Sequence, residues 1–179
     1  MVEITYFVHA TTTDNLAKRC TGWLQGELSE KGIAQAHAIA ENIKDQEFDV
    51  VISSDLKRAI DSAAINFAGR DIEIKTDSRI RECNYGDYDG GDSKLANYET
   101  HIYEAFPNGE SMQDVEKRIR EFVSYLKENY DGKKVAIVAH KAPQLALNVI
   151  LNGQSWEDAI SSDWRKTGAW QPGWKYIIK

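Results

Sequence analysis

Apolar positions along the chain follow two periods. Residues 3–9, 48–52 and 134–140 are short β-favouring runs that do not alternate cleanly, which predicts strands buried on both faces. Between them the spacing lengthens to that of a helix. Ser29 reads as an N-cap with Glu30 in the first turn, followed by Ile33, Ala36, Ile39, Ala40 and Ile43 at helical spacing. Ser54 or Asp55 is placed to cap a second helix whose inner face is Leu56, Ala59, Ile60, Ala63 and Phe67. Ser111 and Asp114 form a capping-box pattern ahead of a third helix, which carries Val115, Ile119, Phe122, Val123 and Leu126 and stops before Gly132. Pro143 suits the first position of a fourth, with Leu145, Val149 and Ile150 inward and Asn152-Gly153 at its end. Ser155 can cap one more short helix, and residues 72–75 and 174–178 read as further strands. Strands alternating with helices predict the α/β class, with a mostly parallel sheet and helices on both faces.

Two stretches break the rhythm. Residues 11–28 form a long loop, unusual in a compact domain unless it has a function. Residues 79–110 are punctuated by Gly86, Gly90, Gly91, Pro107 and Gly109, with Leu95, Tyr98, Ile102 and Ala105 suggesting a helix inside. This segment reads as an irregular cap insertion over a pocket, its aromatic residues mostly core. Neither a repeat nor a linker divides the chain, so residues 1–179 are expected to form one domain.

Composition changes the picture chiefly by exclusion. The 179 residues are 42% hydrophobic and 28% charged, with a net charge of -6. An acidic balance argues against a nucleic-acid partner but allows a local basic pocket. No apolar run approaches the roughly 20 residues that span a bilayer, so no membrane partner is expected. With no secretion signal, the two cysteines, Cys20 and Cys83, read as reduced thiols in a cytoplasmic protein.

The chemistry gathers at strand ends. His9 closes the first predicted strand, His140 the strand at 134–140, and Arg58 follows the strand at 48–52 by one turn. Open parallel sheets bind ligands beyond the carboxyl ends of their strands, which points to one pocket centred on His9. His37 and His101 lack such a setting and read as surface residues. Metal-ligand spacings are missing, and two histidines with an arginine at helix starts suit an anion such as a phosphoryl group.

At these residues the chain resembles the histidine phosphatase superfamily, which includes the cofactor-dependent phosphoglycerate mutases. Val8-His9-Ala10-Thr11-Thr12 with Asn15 is similar to its opening motif. Arg19-Cys20-Thr21-Gly22-Trp23-Leu24, leading to Leu28-Ser29-Glu30-Lys31-Gly32, resembles the mutase loop and first helix. Ser53-Ser54-Asp55-Leu56-Lys57-Arg58-Ala59 resembles its second arginine motif and Arg81-Glu82-Cys83-Asn84-Tyr85-Gly86 its acid motif. Asn108-Gly109-Glu110-Ser111 and Val138-Ala139-His140 complete the series in the family's order. The resemblance implies a three-layer α/β/α sandwich; neither a metal nor a cofactor is expected. Neutral His9 would attack phosphorus, Arg58 and a protonated His140 would bind the equatorial oxygens, and Glu82, kept partly protonated by burial or negative charge, would serve as acid and then base. Asn15, Thr21, Gly22 and Tyr85 would contact the phosphate or substrate. The partner would be a small phosphorylated metabolite or a phosphoprotein. Oligomeric state is not legible.

The chain departs from the family inside the pocket. Val8 replaces the first arginine, Ala10 a glycine, and Lys141 the glycine that commonly follows the second histidine. Losing an arginine fork forfeits charge-assisted hydrogen bonds worth about 1.5–3 kcal/mol each. Lys141 is a candidate replacement, with Lys18, Arg19, Arg165 and Lys166 as others. Cys83 stands where mutases carry a substrate-binding arginine, and the chain lacks the length of a mutase insertion. Three readings follow, in this order: a phosphatase, an inactive or weakened phospho-ligand-binding protein, and a phosphoglycerate mutase.

Overall fold

The computed structural model describes residues 1–168 and 173–179. Its sheet contains β1 (Val2–Val8), β2 (Val50–Ser53), β3 (Ile74–Thr76), β4 (Lys134–Ala139) and β5 (Trp174–Ile178), in the order β3-β2-β4-β1-β5. Neighbouring pairs are parallel except β1 with β5, which are antiparallel. Strand side chains alternate between two apolar layers, which is why the sequence runs look continuous. Ile4, Tyr6, Val135 and Ile137 face one layer, and Phe7, Val51, Ala136 and Val138 the other.

Helices cover both faces. On the first lie α4 (Met112–Asn129), α5 (Lys141–Asn152) and α6 (Trp156–Ser161), through Val115, Ile119, Phe122, Leu145 and Ile160. On the second lie α2 (Glu30–Asn42) and α3 (Lys57–Asn66), where Phe7, Phe48 and Phe67 meet edge to face. The expected three-layer sandwich with a mostly parallel sheet is therefore present. Two one-turn helices, α1 (Thr13–Leu16) and α7 (Trp164–Thr167), lie in the connections.

Local expectations were corrected at several points. Neither Ser54 nor Asp55 is the N-cap of α3; the extended Leu56 is, without a side-chain cap bond, because Asp55 pairs with Arg81 at 2.5 Å. Pro143 is the third residue of α5, not the first, because β4 ends a residue early and His140 is the cap. The helix expected around residues 95–105 is a pair of 3₁₀ turns, Ser93–Leu95 and Tyr98–His101, whose Asp92 and Asn97 side chains bond their own backbone two residues on. Ile33 and Ile60, expected inward, are about two-fifths exposed.

Candidate active site

Strands β1, β2 and β4 end at one edge. His9 extends the β1 ladder by one bond, its N–H donating to the Ala139 carbonyl at 2.9 Å. Its ring Nδ1 lies 2.7 Å from the Ala10 carbonyl oxygen. A carbonyl only accepts, so Nδ1 carries the proton and Nε2 is the basic nitrogen. Ala10 does this with its backbone, is braced by donation to Ser62 Oγ on α3 at 3.0 Å, and does not sit at positive φ. The Ala10 methyl group therefore costs no backbone strain. Desolvation, then the charge of Arg58, lowers the His9 pKa to about 3. The imidazole is neutral at physiological pH.

His140 is fully buried, with its ring centroid 5.1 Å from that of His9. Tyr6 anchors its backbone: the phenol donates to the His140 carbonyl at 2.6 Å and accepts from its N–H at 3.0 Å. Both His140 ring nitrogens lack a partner among the described residues. Burial, then Arg58, then His9 hold its pKa well below the ordinary value. The protonated His140 expected from the sequence is thus neutral in the ligand-free protein.

Arg58, on the first turn of α3, is 2% exposed. Its guanidinium donates to the Leu24 carbonyl at 2.7 Å and the Gly22 carbonyl at 2.8 Å, so it holds the loop as well as charging the site. Desolvation lowers its pKa, the signature of a buried cation whose stabilisation falls short of that in water.

Glu82 is 7% exposed, and four donors converge on its carboxylate. Oε1 accepts from Cys83 N–H, Tyr98 Oη and Ala142 N–H at 2.9–3.1 Å, while among the described residues Oε2 accepts only from Lys141 N–H at 3.2 Å. The carboxylate thus caps the N-terminus of α5 from across the sequence. Arg118 fixes the same loop, donating to the Glu82 carbonyl at 2.9 Å and pairing with Glu110 at 2.8 Å.

A cavity of about 780 Å³ is lined by His9, Arg58, Glu82, Asn15, Thr21, Gly22, Tyr85 and Lys141, among others. His140 does not line it. Asn15 closes a capping box with Thr12 on α1, Thr21 donates to Asp14 at 3.0 Å, and Tyr85 pairs its hydroxyl with Tyr98 at 2.8 Å. Of the other cations, Arg19 and Arg165 line the cavity, while Lys18 and Lys166 do not. Sequence reasoning gave no role to Tyr6 or Arg118 and took Tyr98 as core. The available signal was chemical: a buried phenol or guanidinium needs polar partners. Groups able to hold a metal ion do not cluster among the described residues, and no helix there is long and apolar enough to cross a membrane.

Known proteins resemble this chain in sequence and in fold. The chain is 30% identical over 155 residues to a Bacillus subtilis protein named uncharacterized phosphatase PhoE, covering 86% of this chain and 79% of that one. It is 30% identical over 172 residues to the 2,3-bisphosphoglycerate-dependent phosphoglycerate mutase of Bartonella tribocorum, covering 87% and 84%. The structure of Bacillus stearothermophilus YhfR superposes with a TM-score of 0.82 at 26% identity, over 90% of this chain and 85% of that one. The profile of the histidine phosphatase superfamily (branch 1) matches residues 6–170, and the chain belongs to that family.

Proposed function

We propose that the protein is a phosphatase that hydrolyses a phosphomonoester or a phosphoprotein through a phosphohistidine on His9. The observation that carries this reading is the His9 tautomer. Nδ1–H is spent on the Ala10 carbonyl, and the ring, neutral at physiological pH, presents a basic Nε2 on the wall of a cavity that also holds Arg58. In the first step the Nε2 lone pair attacks phosphorus and the bond to the leaving oxygen breaks, with Glu82 supplying the proton. Oε2, which has one long contact, is the oxygen suited to carry that proton. In the second step water attacks phosphorus, the P–N bond breaks, and Glu82 takes the water proton. An arriving phosphoryl dianion favours protonation of His140, whose ring lies 5.1 Å from that of His9. The partner is a small phosphorylated metabolite or a phosphoprotein. Two buried free thiols, Cys20 and Cys83, suit a cytoplasmic setting.

A second reading, a phospho-ligand-binding protein without turnover, is favoured by Val8, which puts an apolar side chain on the cavity wall where the family carries arginine. The test is to incubate the protein with a radiolabelled phosphomonoester and quench in alkaline detergent. Base-stable, acid-labile label on the native chain and none on His9→Ala is the expected result. Equal hydrolysis by the two proteins refutes the phosphatase, and phosphate binding without label or turnover selects the second reading. Primer-dependent formation of 2-phosphoglycerate from 3-phosphoglycerate would show a mutase instead.

A further inference from the structure

We propose that Lys141 and Arg165, gathered by Asp163, form the anion clamp that position 8 lacks and bind non-bridging oxygens of the phosphoryl group at His9. The inference rests on the reading of His9 as phosphoryl acceptor and names how this chain compensates for Val8.

The cluster is built. The Asp163 side chain is 1% exposed, with Oδ2 3.2 Å from Lys141 Nζ and Oδ1 accepting from Arg165 Nη1 at 2.9 Å. The same Oδ1 caps α7 by accepting from the Arg165 N–H at 3.2 Å. Aromatic faces fix both cations. Lys141 Nζ lies 4.4 Å from the Tyr98 ring centroid, and Arg165 Cζ 4.4 Å from that of Trp164.

The cluster also sits on the correct wall. Lys141, Arg165 and Val8 line the cavity that His9 lines. Trp174 opens β5 opposite Tyr6 of β1, and Val8 and Trp174 pack on one core layer. The Trp164 ring lies 5.9 Å from the Trp174 ring, which brings α7 back against the His9 end of β1. The charge of Arg165 reaches the nucleophile, where it helps to hold His9 neutral. Lys166, one residue on, turns away to Glu99 at 2.7 Å and does not line the cavity.

The charge count matches the deficit. Two cations on one carboxylate leave one net positive charge, which is what an arginine at position 8 would bring. Asp163 engages one terminal nitrogen of the Arg165 fork, so the guanidinium can accept an anion on its other side. Lys141 adds a point charge.

Calorimetric titration with inorganic phosphate tests the clamp. Arg165→Met and Lys141→Met are each expected to weaken binding about tenfold, the loss of one hydrogen bond to a charged group. Lys166→Met is expected to bind as the native protein does. Arg165→Lys, which keeps charge without the fork, should retain part of the affinity and covers the case of a Met variant that fails to fold. Val8→Arg in the Arg165→Met background should recover affinity. Unchanged phosphate affinity in both Met variants, an equal loss in Lys166→Met, or no phosphate binding by the native chain overturns the clamp. Alkaline-stable label on His9 with unchanged phosphate affinity removes the clamp alone. Reduced affinity in Arg165→Met without any label on His9 keeps the clamp and removes the phosphatase.

Discussion

The hydroxyl of Tyr98 joins Tyr85 to Glu82 and, among the described residues, is the one side-chain donor in the four hydrogen bonds to the carboxylate. Tyr98→Phe removes a donor from Oε1 and leaves the Tyr85 hydroxyl without its partner. The expected cost is about 1 kcal/mol in urea unfolding, with an altered pH profile of kcat/KM. An unchanged profile would show that the Tyr98 bond does not tune the carboxylate. Gly22 is a second single-residue dependence. Its φ is +53°, and a Cβ there would overlap the Asp89 carboxylate, which itself accepts from the Trp23 and Tyr85 N–H groups. Its carbonyl also accepts from Arg58. Gly22→Ala should destabilise the fold by at least about 1 kcal/mol and weaken phosphate binding. Unchanged unfolding and affinity would show that the turn adapts. Ala10 illustrates the opposite case: it meets the His9 ring through its carbonyl and its φ is not positive, so its side chain adds no backbone strain.

At the scale of elements, α5 is the hinge of the site. His140 is its N-cap residue but gives no side-chain cap bond, and the first N–H groups of the helix donate to Glu82 instead. A carboxylate at a helix N-terminus also meets the positive end of the helix dipole. Glu82→Gln should therefore cost about 1–2 kcal/mol of stability in addition to its effect on turnover. A fully stable but inactive variant would leave Glu82 a chemical role alone. The capping box of α4 supplies the contrast. Ser111 accepts from the Asp114 N–H at 3.1 Å, and the Asp114 carboxylate accepts from the Ser111 N–H at 2.9 Å, away from the cavity wall. Ser111→Ala should cost about 1 kcal/mol without changing phosphate affinity.

For the whole molecule, the two site histidines tie stability to pH. Both are held below their ordinary value near 6.5, His9 at about 3. The unfolded chain takes up protons near 6.5 and the folded chain only at lower pH, so the unfolded state gains as pH falls. Stability is intact above pH 6.5 and declines below it, by up to about 1.4 kcal/mol per unit for fully buried His140. Urea midpoints measured between pH 7 and 5 should fall for the native protein and fall less for His140→Gln. Parallel slopes would remove His140 from the linkage. The strands, the α2 and α4 caps, and the placement of His9, Arg58 and His140 just beyond strand ends were legible because each follows from short-range rules: hydrophobic period, capping chemistry, and polar residues placed at strand ends. Glu82, in an irregular segment, was legible only through the resemblance to the family. The sequence by itself determined the layered α/β architecture and the family. Tertiary structure alone decided that Asp163 unites Lys141 and Arg165 across more than one element, since no local spacing encodes such a meeting. It also decided that Glu82 caps α5 and that the histidines are neutral, because burial and the distance to Arg58 are properties of the packed fold.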